Sequence, residues 1–147
     1  MMEEVKYYPF KIGGVEQKYP NVHPGTPKYA SCMQIGNLLF VSGMTAQELE
    51  TGAVFADNIT DQMNIVMDKI RAVLEEAGSS MENIVKTLML LKDVKDYQIM
   101  RKVELEYYQQ HAPRLVEEPP ASTFMEVTLA NPAFLVEIEV VAVVKRG

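Results

Sequence analysis

The run Leu135-Val136-Glu137-Ile138-Glu139-Val140-Val141-Ala142-Val143-Val144 constrains the fold more than any other stretch of the chain. It alternates as a strand does, with Val136, Ile138, Val140, Ala142 and Val144 on one face. The other face takes Leu135, Glu137, Glu139, Val141 and Val143, and beyond Glu139 it too is apolar. A strand apolar on both faces needs cover on both sides. Yet only two segments carry a helical period, enough for roughly one face of a five- or six-stranded sheet. The uncovered face calls for a partner, and oligomerisation sheet to sheet is the expected solution. The alternative is that the N-terminal arm lies over it. Exposed apolar patches of that size are uncommon on monomers.

Upstream, Tyr29–Ile35 and Leu38–Gly43 read as two strands joined at Gly36-Asn37, a two-residue hairpin signal. Thr51-Gly52 closes a further turn. Over residues 60–77 the period becomes helical, with Met63, Val66, Ile70, Val73, Leu74 and Ala77 on one stripe. Thr60 is the expected N-cap and Gly78 the left-handed residue after the helix. Ile84–Leu91 reads as a strand buried on both faces. A second helix is expected from Asp96 to His111, ended by Ala112-Pro113. Strands over Thr123–Leu129 and Leu135–Val144 finish a β-β-α-β-α-β-β order, an α+β layer structure with a mixed sheet. Residues 1–27 lack sustained periodicity and read as an extended arm with turns at Gly13-Gly14 and Pro24-Gly25; residues 28–147 form the single domain.

Composition excludes several functions. At 147 residues the chain suits one domain with a proper core. A net charge of −6 argues against a nucleic-acid partner, because phosphate neutralisation needs clustered Lys and Arg. No long apolar run suggests a membrane span, and the acidic start Met1–Lys6 lacks the apolar core of a secretory signal. One cysteine, Cys32, cannot form an internal disulfide, so a cytoplasmic setting is expected. His23 and His111 stand far apart and no metal-ligand spacing occurs, so neither a metal nor another cofactor is expected.

Few residues suggest chemistry by themselves. Cys32 within a strand pattern reads as a buried, inert thiol. Tyr29 could pack in the core or wall a site. Glu137 and Glu139 share one strand face amid Val and Ile, where a carboxylate is costly unless it is paired, solvated or protonated. They are either solvent-facing or salt-bridged, or one is a general acid/base in a cleft.

Several blocks in order resemble the RidA/YjgF family. They are Tyr29 with Gly36–Gly43 and Thr51-Gly52; Ile70–Ser80; Ile84–Thr87 and Lys92-Asp93; Pro119–Thr123; and Val136–Val143. The resemblance spans about Tyr29 to Val144. It implies a chorismate-mutase-like α+β fold and homotrimers whose sheets form a central barrel with the helices outside. It also implies ligand clefts between subunits, in which active members hydrolyse enamines and imines to keto acids and ammonia.

Carried over residue by residue, the family's site tyrosine corresponds to Tyr29, its cleft Ser-Gly to Ser42 and Gly43, and its water-orienting glutamate to Glu137. Ala121 stands at the position of the substrate-binding arginine, ahead of Ser122 and Thr123. Met44 replaces a glutamine after Ser-Gly, and Arg101 replaces an asparagine of the second helix. An arginine there would clamp a carboxylate through two charge-assisted bonds. Without it, either Arg101 or Arg114 reaches in to restore the anchor, or the cleft takes a less acidic small molecule, with or without turnover. Some family members are described as ribonucleases or translation inhibitors, a role the acidic composition disfavours here.

Overall fold

A computed structural model describes residues 2–147, so within the arm only Met1 lies outside the described residues. Six strands form one sheet: β1 (Val5–Pro9), β4 (Ala30–Ile35), β5 (Leu38–Met44), β6 (Ile84–Leu91), β7 (Ala121–Glu126) and β8 (Val136–Val143). Their order across the sheet is β1-β4-β5-β8-β6-β7. All neighbours are antiparallel except β6 and β7, which run parallel, so the sheet is mixed. The hairpin of β2 (Lys11–Ile12) and β3 (Val15–Glu16) stands apart from it. The arm therefore contributes β1 as an edge strand of the sheet, and Gly13 and Gly14 turn the small hairpin.

Helices α1 (Ile59–Glu76) and α2 (Tyr97–His111) pack on one face of the sheet. Their buried stripes, including Met63, Val66, Ile70, Val73, Leu74, Met100 and Val103, join Leu39, Val41, Met89, Leu91, Val136, Ile138, Val140 and Ala142 in one core. A third, one-turn helix, α3 (Arg114–Glu117), leads into β7. The N-cap of α1 is Asn58, not Thr60: Oδ1 of Asn58 accepts from Asp61 N at 2.9 Å. Ile59 is buried and so falls inside the helix, which moves the cap one residue ahead of it. Gly78 follows the helix at φ +80°, as the sequence implies. Strand β7 begins at Ala121, earlier than the periodicity indicates, because pairing with β6 starts at Ala121 opposite Lys86.

Among the described residues no helix lies on the second face of the sheet. Ile35, Leu38 and Phe40 are exposed there, with Val5 and Tyr7 from β1 and Met125 from β7 continuing the patch. The arm thus extends the apolar face sideways instead of covering it. Among the described residues no helix is long and apolar enough to cross a membrane.

Buried Gln62 sets the approach to β8. Its amide nitrogen donates to Ala56 O and Ala133 O, both at 2.8 Å, and its oxygen accepts from Leu135 N at 2.8 Å. A fully satisfied buried amide of this kind fixes where the strand carrying Glu137 begins.

Candidate functional site

The sequence-assigned residues fall into two groups that one chain does not unite. The first lies around the β5 bulge. Register shifts between Val41 and Met44, so Ser42 and Gly43 bulge opposite β8. Ser42 Oγ donates to Ala30 O at 2.6 Å, tying the bulge to the start of β4. The Glu137 carboxyl packs directly over Gly43. Burial holds Glu137 above the usual carboxylate range, and neighbouring Glu139 adds to the rise. Tyr29, just before β4, is 73% exposed, so it is not core packing. It lines a hollow of about 300 Å³ with His23 and residues of the preceding loop.

The second group lies at the far side of the sheet. A cavity of about 450 Å³ opens between α2 and β7, and both Arg101 and Ser122 line it. Thr87 of β6 donates to Ser122 Oγ at 2.8 Å and forms part of the floor. Arg101 does not wave freely in solvent. Its Nε meets Glu104 Oε1 at 2.7 Å, and its Nη1 donates to the Tyr97 hydroxyl at 3.0 Å. Glu104 is 7% exposed, and burial raises its pKa while Arg101 and the Tyr108 hydroxyl pull it back down. Burial also raises the Tyr108 hydroxyl, with Glu104 contributing. Arg114 is not among the residues that line this cavity, and its Nε pairs with Glu118 at 3.0 Å.

Strand register divides the residues of β7. Ser122 pairs with buried Thr87 on the helix side. Ala121 and Thr123 alternate to the open face, where Lys86 Nζ donates to Thr123 Oγ1 at 2.9 Å. Glu137 pairs through Leu90 with Met125. Ala121 therefore lies two strands over and four residues along from Glu137, roughly 10 Å across and 13 Å along the sheet. No arginine side chain at 121 spans that separation within one protomer.

Sequence reasoning passed over Glu104, Tyr108, Thr87 and Lys86. Glu104 carried a signal, since a carboxylate on the buried stripe of α2 needs a partner. Lys86 interrupts an apolar strand, which is the same kind of signal. Cys32 is buried with its thiol pushed up to about 11 by burial, matching an inert core thiol.

A sequence profile of the family described as Endoribonuclease L-PSP matches residues 22–144. A RutC family protein of Pyrococcus abyssi is 34% identical over 114 residues, covering 78% of this chain and 84% of the relative. The 2-iminobutanoate/2-iminopropanoate deaminase of Escherichia coli is 29% identical over 115 residues, covering 78% of this chain and 86% of that protein. Among solved structures, the YjgF gene product of E. coli superposes with a TM-score of 0.70 at 26% identity, covering 87% of this chain and 97% of that one.

Proposed function

The chain belongs to the RidA/YjgF family, also described as endoribonuclease L-PSP, and on that premise we propose that it hydrolyses small imine or enamine acids in a cleft shared between protomers of a homotrimer. The observation that carries this reading is Arg101 lining one cavity with Ser122. A guanidinium on α2 is thereby available to anchor an acid group that Ala121 cannot hold.

The separation of the two residue groups supports a shared cleft. Tyr29, Ser42, Gly43 and Glu137 of one protomer would meet Arg101 and Ser122 of its neighbour, with Ala121 and Thr123 on the open face of the same strand, where the protomers join. The uncovered apolar face supplies the surface on which protomers join. In this cleft Glu137 orients a water and takes its proton as the oxygen adds to the C=N carbon. The proton then passes to nitrogen, and the carbinolamine hydroxyl proton follows it through Glu137 as the C–N bond breaks, leaving a carbonyl and ammonia; an enamine enters this sequence as its imine tautomer. A carboxyl with a raised pKa suits these transfers.

A second reading, binding without turnover, is favoured by one observation: the charge of Arg101 is already engaged by Glu104. Generating 2-aminoacrylate with a pyridoxal-phosphate dehydratase and following its loss separates the two. Acceleration that vanishes in Arg101→Ala and Glu137→Gln is the expected result. Acceleration that survives both substitutions defeats the assignment, and none at all with saturable binding favours the second reading. The net charge of −6 disfavours a third reading, action on RNA, and the lone buried thiol suits a reducing cytoplasm.

A further inference from the structure

The charge balance of the α2–β7 cavity limits what can enter it. Its lining holds one permanent cation, Arg101, and one buried carboxylate, Glu104, at 2.7 Å from each other. The only other ionisable groups among its described lining residues are Tyr97 and Tyr108, both on α2; in the shared cleft proposed above, Tyr29 and Glu137 of the neighbouring protomer face it as well. From β6 and β7 come only the hydroxyls of Thr87 and Ser122, and the approach to β7 presents Pro119 and Pro120. An entering carboxylate would place a second negative charge on a guanidinium that already neutralises Glu104. Sharing one cation raises the proton affinity of both carboxylates, and Glu104, 7% exposed, is the one that burial disposes to take the proton.

We propose that Glu104 makes this site proton-linked, so that a small monocarboxylate binds Arg101 as Glu104 takes up one proton. The inference rests on the assignment of this cavity as the ligand site. In the empty site the Glu104 carboxylate holds Arg101. In the filled site the neutral carboxyl donates its proton as a hydrogen bond, and the guanidinium turns to the ligand. The balance is one ligand anion and one proton bound together, so the net charge of the site stays at zero. The direction of the Glu104 shift agrees, because burial already favours its neutral form.

Propanoate tests this as a probe with one acid group and no other polar atom. Its dissociation constant is measured by NMR shift titration from about pH 5.5 to about 8.5 on the wild type, Glu104→Gln and Arg101→Ala, with the Glu104 carboxyl followed in a carbon-13 glutamate sample. The wild type is expected to lose about tenfold in affinity per pH unit once Glu104 is ionised. Glu104→Gln should bind more tightly at high pH, and with Glu137→Gln added to silence the neighbour's carboxyl it should bind without pH dependence. The Glu104 signal should titrate at higher pH when propanoate is saturating, a readout that does not depend on any variant folding. Arg101-dependent binding with a flat pH profile and an unmoved Glu104 signal would overturn the proton linkage while leaving the ligand site intact. No binding to wild type or Glu104→Gln would remove the ligand site and the linkage with it.

Discussion

An ideal Cβ built on Gly43 would lie 2.4 Å from Oε2 of Glu137 and 3.0 Å from its Cδ. The glycine is therefore the seat of the glutamate: Glu137 can lie against the β5 bulge only while residue 43 has no side chain. The clash falls on the far end of a flexible side chain, so Gly43→Ala is expected to cost no more than about 1 kcal/mol of stability. It should nevertheless displace the carboxyl and reduce turnover nearly as much as Glu137→Gln. In the double variant the two losses should not add, because both act on the same carboxyl. Urea melts alongside 2-aminoacrylate loss measure both quantities, and additive losses would show that the two residues act independently.

Phe40 sits in the middle of the uncovered sheet face, opposite Val141 of β8, and is 45% exposed. Burying the exposed part of the ring between protomers would contribute about 1 kcal/mol per protomer. Phe40→Asp places a charge in that surface and should give monomers in sedimentation velocity while leaving the helical circular dichroism intact. A trimer that persists in Phe40→Asp would place the protomer contacts elsewhere.

Register separates two positions that are adjacent in sequence. Ser122 shares its cavity with Arg101, whereas Ala121 faces the other way, paired with Lys86. In an Arg101→Ala background, Ser122→Arg should recover part of the lost turnover and Ala121→Arg should not. Recovery by Ala121→Arg alone would show that the anchor belongs on the open face.

How far the sequence reached can be judged from the same residues. The alternation Val136, Ile138, Val140, Ala142 predicts the buried face of β8, and the apolar opposite face predicts an uncovered sheet, because side-chain period is a local property. The Gly36-Asn37 turn was legible for the same reason, since Gly36 takes φ +55°. The cavity was not. It depends on β7 lying parallel to β6 and beneath α2, a long-range pairing that local pattern does not encode. The opposite facing of Ala121 and Ser122 follows from that register alone. Arg101 could be singled out by resemblance, but its grip on Glu104 required both to be seen on one wall of the cavity.

Lys69 gives a pH signature independent of the site. It is nearly buried on α1, and its Nζ donates to Thr45 O at 2.8 Å and to Gln47 O, holding the segment after β5. Burial lowers its pKa from 10.5 to about 8. Between those values the unfolded chain holds a proton that the folded chain has released, so stability rises with pH through the window and is lost as pH falls through about 8. Relative to Lys69→Met at fixed protein concentration, the wild type should gain roughly 1 kcal/mol per pH unit at most from about pH 8 to 9. The Cys32 thiol, raised to about 11, works in the opposite direction at higher pH but is common to both proteins and drops out of the difference. Urea melts at several pH values check this, and a difference that stays flat would show that the two carbonyls hold Lys69 charged.

Mixing two inactive variants tests most directly whether the site is shared. Arg101→Ala and Glu137→Gln proteins are unfolded together, refolded and assayed for 2-aminoacrylate loss against each variant refolded alone. If Glu137 of one protomer works with Arg101 of its neighbour, mixed trimers contain intact clefts and activity returns. Activity that stays at the level of the separate variants, with mixed trimers verified by mass, would contradict a cleft built from two chains.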